Sequence, residues 1–337
     1  MPSVFGKEYP KTELRRRVGD MTQLAGAVPF VYSEGKATGT QAIEVRNGSG
    51  LRFVVLPGRG MDIAWAELGG VNVSYISKTG IVNACHYDER DFLRSFSAGL
   101  LTTCGLSYMG APCVDEGVQL GTHGRIANTP AYDLSITQEW QGDDYVICVR
   151  GKVRESTVFG EDLVLTRSIT TAMGDNRICI HDEIENVGFS PAPLMVLYHF
   201  NFGFPLVDED SVLTTNCTNV RPRDAAAVPG LEECCRFSAP VQNYSEQAFY
   251  RDAEGRSFVR LENPDIGVAA ELRFDGSQLP YLVEWKQMGE QEYAVGLEPA
   301  TNPPCGRAAA RAEGTLLYLQ PQQIRAHDIE VCLERLD

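Results

Sequence analysis

Long apolar runs, zinc-type cysteine pairs and a basic charge balance are all missing from this chain of 337 residues. No stretch approaches the roughly 18 consecutive apolar residues of a membrane span, and residues 1–11 lack the apolar centre of a signal peptide. The ten cysteines include no C-x-x-C pair, which argues against zinc ribbons and thioredoxin-like motifs. We therefore expect a cytoplasmic protein without a membrane partner, whose cysteines are mostly buried thiols.

The charge balance is acidic, with 30 Lys and Arg against 45 Asp and Glu and a formal net charge of −15. Such a charge repels nucleic acid and anionic membranes at long range, so neither is expected as a partner. A phosphorylated small molecule stays open as a substrate, because a few local arginines outweigh the global field at contact distance.

The chain shows no Pro/Ser/Gly-rich linker, no charge block and no solenoid-length repeat. Its hydrophobic content of 43% is ample for one large core. We predict an N-terminal extension over residues 1–40, with a short helix within Lys11–Leu24, followed by a single domain over residues 41–337.

Beyond the extension, alternating or β-branched apolar runs recur between Gly, Asp, Asn and Pro. Strands without intervening helices predict an all-β fold of antiparallel sheets, and a chain of this length predicts a large β-sandwich. The predicted strands include Leu51–Leu56, Tyr145–Val153, Leu163–Thr170, Arg177–Glu185, Leu194–Asn201, Val268–Phe274, Tyr281–Lys286, Tyr293–Glu298, Thr315–Leu319 and Ile329–Leu333.

Two of these strands carry polar residues in unusual places. His199 and Asn201 interrupt an apolar run and point the same way, so they need either partners in the core or a ligand. Glu298 shares its face with Ala294 and Gly296, whose small size leaves room for a ligand, although an edge-strand glutamate facing water would look the same. Pro299 is predicted to end this strand.

Two glycine-rich turns are further candidates. His123 lies between glycines in the loop GTHGR, which permits close backbone approach. Arg59 lies in LPGRGMD, which lacks the spacing of a phosphate-binding loop and is followed by no helix pattern. The remaining histidines, His86, His181 and His327, are predicted to lie on the surface.

The motifs THGR, YHFN and GLEP, in this order, resemble the aldose 1-epimerase family. The segments LPGRGMDI, LLTTCGL, HGRIANTPA, VFGEDL and YHFNFGFP look like those of an aldose-epimerase-like branch, so the resemblance extends from about Leu51 to the C-terminus. It implies a galactose mutarotase-like β-supersandwich with an open sugar cleft, binding a small-molecule sugar and using no cofactor and no metal.

By motif match, His199 resembles the general acid, Glu298 the general base and His123 a substrate-positioning histidine, while Asn201 follows His199 as in the family. Such a pair exchanges anomers by taking the proton of the C1 hydroxyl and protonating the ring oxygen. The HGR loop, with Arg125, is closer to the hexose-phosphate-type pattern than to the galactose type, and the sugar stays unidentified.

Asn201, Arg125, Arg59 and Lys286 are the predicted substrate-binding residues, although each of the three cations serves equally well as a salt-bridge partner. Trp285 alternates with Lys286, so a regular strand turns only one of them to the cleft. Two other functions stay open: a metal-dependent sugar isomerase or lyase that uses the same histidines and glutamate, and a non-catalytic sugar sensor. The oligomeric state is left open.

Overall fold

Strands dominate the computed structural model, which describes residues 1–4 and 6–336. Within this described part, the two helices are short: α1 spans Lys11–Arg17 and α2 spans Arg307–Ala312. None of the described helices has the length and apolar character needed to cross a membrane.

The first strands are β1 (Ser3–Val4), β2 (Lys7–Glu8), β3 (Gly26–Val31), β4 (Gln41–Arg46), β5 (Leu51–Leu56), β6 (Asp62–Leu68), β7 (Val71–Asn72), β8 (Tyr75–Ile76), β9 (Ala98–Gly99), β10 (Leu101–Cys104), β11 (Cys113–Asp115), β12 (Val118–Leu120), β13 (Tyr132–Gln141) and β14 (Asp144–Ser156). They are followed by β15 (Asp162–Ala172), β16 (Arg177–Asn186), β17 (Ala192–Leu194), β18 (Leu197–Gly203), β19 (Val212–Thr215), β20 (Thr218–Pro222), β21 (Gln247–Asp252), β22 (Arg256–Asn263), β23 (Val268–Asp275), β24 (Tyr281–Gly289), β25 (Glu292–Ala300), β26 (Leu317–Leu319) and β27 (Ile324–Arg335).

Two large antiparallel sheets form the body of the fold. In the described residues, an eleven-stranded sheet has the order β20-β21-β24-β25-β18-β10-β6-β5-β4-β3, with β7 paired to β6. An eight-stranded sheet has the order β13-β14-β15-β16-β27-β23-β22-β19. The predicted all-β sandwich with little helix is confirmed.

The main core lies between the two sheets, and alternate residues of β18 point into it. Tyr198, Phe200 and Phe202 are fully buried in this core, together with residues of the facing sheet such as Ile180. Successive side chains of a strand point to opposite faces, so His199 is directed away from the core. Burial on both faces explains why this central strand reads as a continuous apolar run.

The N-terminal segment joins the larger sheet. The predicted short helix is present: α1 covers the first half of the predicted segment and ends at Arg17, and a single 3₁₀ turn follows at Met21–Gln23. Strand β3 pairs with β4 along six residues at the sheet edge, so the predicted boundary between residues 40 and 41 falls between two paired strands. The division of the chain into an extension and one domain stays a prediction.

Two details of the site strands differ from the predictions. The apolar run over residues 194–201 is split at Met195 and Val196, whose backbone N–H groups donate to Leu106 O and Thr301 Oγ1. Strand β25 continues through Pro299 to Ala300. Proline has no N–H to donate to a neighbouring strand, and Pro299 is tolerated because the pairing of β25 with β18 is interrupted at this position.

The cysteines are less buried than predicted. All ten are free thiols; four are buried, and Cys85 and Cys305 are exposed.

Candidate active site

A cavity of about 500 Å³ lies over the outer face of the larger sheet. Its floor is formed by four neighbouring strands, with Ala248 from β21, Trp285 from β24, His199 from β18 and Glu298 from β25. This volume suits a small organic ligand. Its walls come from loops and include Phe92, Leu93, Phe96, Gly110, Ala111, Thr122, His123, Arg223, Asp224, Glu246 and Pro304.

The three predicted catalytic residues all line this cavity. His199 Nε2 and Glu298 Oε1 lie 3.1 Å apart, and both side chains are buried. The contact lacks hydrogen-bond geometry: Glu298 Oε1 and His199 Nδ1 have no hydrogen-bond partner among the described residues. Buried polar atoms are normally paired, so these two atoms leave hydrogen-bonding capacity unused at the floor of the cavity.

Gly296 makes the approach of this pair possible. A Cβ placed on Gly296 would lie 2.5 Å from Glu298 Oε1 and 2.9 Å from the Cε1 atom of His199. Contacts this short are sterically excluded, so a side chain here would push the two groups apart. The sequence pattern predicted free space above Gly296, and the structure shows that His199 and Glu298 themselves occupy it.

His123 reaches the same cavity from a loop. Its φ of 61° is in the left-handed region, and its backbone is held by hydrogen bonds to Gly110 O and from Gly105 N, both 3.0 Å. The ring centroid lies 6.0 Å from that of His199 and 5.1 Å from that of Phe92. Its Nδ1 atom also lacks a hydrogen-bond partner within residues 1–4 and 6–336.

Burial disfavours charge on each of the three groups. It lowers the pKa of His123 to about 4, and it lowers the pKa of His199 well below the usual range, where the neighbouring His123 adds to the effect. Burial raises the pKa of Glu298 well above its usual range, and the charge of Glu246 raises it further. Burial therefore favours a protonated Glu298 carboxyl beside neutral imidazoles.

A charged cluster that the sequence patterns did not indicate forms one wall. Arg223 Nε lies 2.7 Å from Asp224 Oδ2, and Arg223 Nη2 lies 3.0 Å from Glu246 Oε1. Trp285 donates its indole N–H to Glu246 Oε2 at 2.9 Å, and its ring centroid lies 5.6 Å from that of His199. Arg223, Asp224 and Glu246 lie just outside β20 and β21, in segments without a recognisable motif.

Trp285, rather than Lys286, faces the cavity, as strand alternation requires of a regular strand. Lys286 is buried and donates to the carbonyls of Glu233 and Arg236. Its ammonium group is therefore directed away from the cavity, which argues against the predicted role of Lys286 in substrate binding.

Both predicted arginines are also engaged elsewhere. Arg59 is buried and donates to the carbonyls of Val82, Ser95 and Ala127, so it ties loops together instead of lining the cavity. Arg125 pairs with Glu89 at 2.8 Å and likewise does not line the cavity. Arg125 therefore has the salt-bridge role that the sequence left open, whereas the carbonyl partners of Arg59 come from distant segments that no local pattern indicates.

Asn201 follows the predicted parity but stays below the cavity surface. Its side chain is buried, donates to the backbone O of His199 at 2.8 Å and leaves Oδ1 unpaired within the described chain. It supports the strand that carries His199 and is not among the residues lining the cavity.

The other histidines lie outside the cavity. His86 and His181 are exposed, as predicted, whereas His327 is buried, and its Nδ1 lies 3.1 Å from the Tyr198 hydroxyl. The surface prediction for His327 is wrong: charged neighbours in sequence suggested exposure, but strand parity in β27 directs His327 inward with Ile329.

This fold is shared with solved structures of aldose 1-epimerase and galactose mutarotase-like proteins. A protein of Klebsiella pneumoniae, named as a candidate aldose 1-epimerase, superposes with a TM-score of 0.86 at 24% identity, covering 93% of this chain and 86% of its own. A galactose mutarotase-like protein from Clostridium acetobutylicum has a TM-score of 0.65 at 15% identity, covering 93% and 100%. Galactose 1-epimerase from Lactobacillus acidophilus has a TM-score of 0.59 at 12% identity, with the same coverage.

The architecture therefore defines a mutarotase-like β-sandwich protein. Residues 37–333 match the family described as a domain of unknown function, DUF4432, and the chain belongs to that family. None of the curated proteins compared with the chain matches it.

Proposed function

We propose that this chain is a carbohydrate-active isomerase that interconverts the anomers of a sugar through ring opening. The observation that carries the proposal is the pair of His199 and Glu298, whose Nε2 and Oε1 atoms lie 3.1 Å apart at the floor of a cavity of about 500 Å³. Anomer exchange needs one group that takes a proton and one that gives a proton, placed on the same side of the substrate.

In the proposed reaction, the Glu298 carboxylate takes the proton of the C1 hydroxyl while the His199 imidazolium protonates the ring oxygen. The C1–O5 bond breaks and leaves an open-chain aldehyde. Rotation about C1–C2 exposes the other carbonyl face, and the reverse proton transfers close the ring. His123, on the loop above His199, orients the sugar.

The pair can work while holding a single proton. Burial favours the proton on Glu298, whereas the proposed acid and base need it on His199. The facing atoms lie 3.1 Å apart, and a side-chain rotation that aligns them lets the proton move from Glu298 to His199 without changing the total charge of the site. Sugar hydroxyl groups that donate to the carboxylate would favour the charged pair, because hydrogen bonds to an ionised carboxyl lower its pKa.

The cavity wall supports a polyhydroxylated ligand. Trp285 and Phe96 flank His199 with ring centroids at 5.6 and 5.3 Å, and such rings pack against the C–H face of a sugar. Arg223 sits between Asp224 and Glu246, which leaves both donors and acceptors near the ligand.

A metal-dependent reaction at this site is favoured less by the geometry. Ligands of one ion must converge on it at about 2.0–2.2 Å. Among the described residues, a group of three such donor atoms that all lie within 4.8 Å of one another occurs at Cys234, Cys235 and Glu284, and His123, His199 and Glu298 form no such group.

The proposal is tested by exchange NMR of anomeric protons across free and phosphorylated sugars. The wild-type chain should accelerate exchange of one sugar class, and Glu298→Gln should not. Glu290→Gln, an exposed glutamate outside the cavity, is the matched control and should exchange like the wild type. Exchange by Glu298→Gln at the wild-type rate on the accepted sugar would contradict the assignment.

A further inference from the structure

A second cluster of reactive groups lies on the core side of the larger sheet, away from the cavity. Cys234 and Cys235 are adjacent in the chain, and their sulfur atoms lie 3.8 Å apart. Cys234 is 5% exposed and Cys235 is half-buried. The proposed isomerase reaction uses neither thiol.

Arg251 contacts both thiols and the carboxylate of this cluster through one nitrogen. Its Nη2 atom lies 3.1 Å from Cys234 Sγ, 3.3 Å from Cys235 Sγ and 3.0 Å from Glu284 Oε2. Two thiols and a buried carboxylate would otherwise form a small metal site. The guanidinium already stands where a shared cation would have to bind.

The charges of the cluster balance if one thiol is ionised. Arg251 and Lys286 contribute two buried cations, and Glu284, whose pKa burial raises to about 7, offsets one of them while it is ionised. Lys286 also donates to the carbonyls on both sides of the cysteine pair, Glu233 O and Arg236 O, and so holds this turn in place. A thiolate at Cys234 supplies the missing negative charge.

The acidity of the two thiols agrees with this assignment. The hydrogen bond from Cys235, followed by the charge of Arg251, lowers the pKa of Cys234 to about 5 despite burial. The pKa of Cys235 is raised, first by its hydrogen bond to Cys234. One sulfur is thus a nucleophile at neutral pH and its neighbour is a thiol that can resolve an oxidised product.

We propose that Cys234 and Cys235 form a peroxide-reactive site that closes to a vicinal disulfide. The Cys234 thiolate attacks one oxygen of hydrogen peroxide; the S–O bond forms, the O–O bond breaks, and the leaving hydroxide takes a solvent proton. Cys235 then attacks the sulfenic sulfur; the S–S bond forms, the S–O bond breaks, and water leaves with the Cys235 proton. Two thiols and one peroxide thereby give one disulfide and two waters.

The product should be easy to reduce. Adjacent Cα atoms are about 3.8 Å apart across a trans peptide, which is below the usual separation of about 4.4–6.8 Å in disulfides. Such strained disulfides are the labile ones, so a dithiol reductant should restore both thiols.

The first test needs no variant. The full chain is treated with hydrogen peroxide at one equivalent, and peptides are mapped by mass spectrometry before and after dithiothreitol. We expect the peptide containing residues 234–235 to lose two hydrogen atoms, reversibly, before the exposed Cys85 and Cys305 react. An unchanged peptide, a sulfenic acid that never closes to a disulfide, or zinc that co-purifies with the chain and protects both thiols would overturn the proposal.

A second test separates the two sulfurs. In Cys235→Ser, a dimedone adduct should form on Cys234, and in Cys234→Ser none should form on Cys235; Cys305→Ser is the matched control. The rate at which iodoacetamide alkylates Cys234 should stay nearly constant from about pH 6 to about pH 8, because a thiol that is already ionised gains no further thiolate as the pH rises. A Cys234 rate that rises steeply over this range would also overturn the proposal.

Discussion

Two buried polar clusters lie on opposite faces of strand β18 and differ in how well they are paired. On the core side, Arg167 donates to Asp182 at 2.8 and 2.7 Å and to Asp62 at 3.1 Å, and the Tyr198 hydroxyl donates to Asp182 at 2.7 Å. On the outer side, His199 and its partner Glu298 keep unpaired atoms.

The difference shows how adjacent residues of one strand take structural and chemical roles. A buried charge with all its partners in place holds the sheets together, since any loss of a partner leaves an uncompensated charge. A buried polar atom without a partner is costly and persists where a ligand completes it. Tyr198 belongs to the first class and His199 to the second, although both are buried to a similar degree.

The largest expected effect is a loss of activity without a loss of folding stability in the outer cluster, His199 and Glu298. Glu298→Gln and His199→Asn should each lower kcat for anomer exchange by about 10²–10⁴-fold, because each removes one proton-transfer group. The free energy of unfolding should stay the same or rise, since neither side chain has a complete set of partners. Urea denaturation checks this, and a large loss of stability would make these residues structural. The double variant should lose less than the product of the two single effects.

The opposite result, a loss of stability, is expected in the inner cluster, which is the core-side group of Arg167, Asp62, Asp182 and Tyr198. Arg167→Met leaves Asp62 and Asp182 buried without their cation, so the free energy of unfolding should fall by about 3–5 kcal/mol. Arg154→Met, at an exposed ion pair with Asp162, should change it by about 1 kcal/mol or less. Equal effects of the two substitutions, measured by denaturation, would remove the distinction between the clusters.

A smaller effect is expected from crowding the outer pair. Gly296→Ala places a methyl group against Glu298 and His199, and a displacement of about 1 Å can cost up to about 10²-fold in kcat. Gly289→Ala, at the end of β24, meets the flexible Gln287 side chain and makes an ordinary contact with Glu292 Cβ at 3.8 Å, so it serves as the control. Unaltered kcat in Gly296→Ala would show that the 3.1 Å approach is not required.

The smallest effect concerns pH and the inner cluster. Burial lowers the pKa of His327 from 6.5 to about 4. Between pH 6.5 and about pH 4, His327 is therefore protonated in the unfolded chain and neutral in the folded chain. The free energy of unfolding therefore declines as pH falls through this window. His327→Gln should flatten that decline, whereas His86→Gln, at an exposed position, should keep the wild-type slope. Urea titrations at several pH values measure both, and identical slopes would contradict the burial argument.

The sequence alone determined the strands and the parity of their side chains. Alternation of apolar residues predicted the strands, placed His199 and Asn201 on one face and aligned Glu298 with Gly296, because side-chain direction in a strand follows from local geometry alone. Three motifs also predicted His123, His199 and Glu298 as one group. The antiparallel sandwich followed from strands without intervening helices.

Only the tertiary structure decided which polar groups already have partners. Arg59, Arg125 and Lys286 looked available for a ligand, but backbone carbonyls and Glu89 from distant segments engage them. The pairing of Arg223 with Glu246 likewise depends on how separate loops fold together. Such contacts form between segments that are far apart in the chain, so no local sequence pattern indicates them. These contacts decide which charged side chains stabilise the fold and which remain able to bind a substrate.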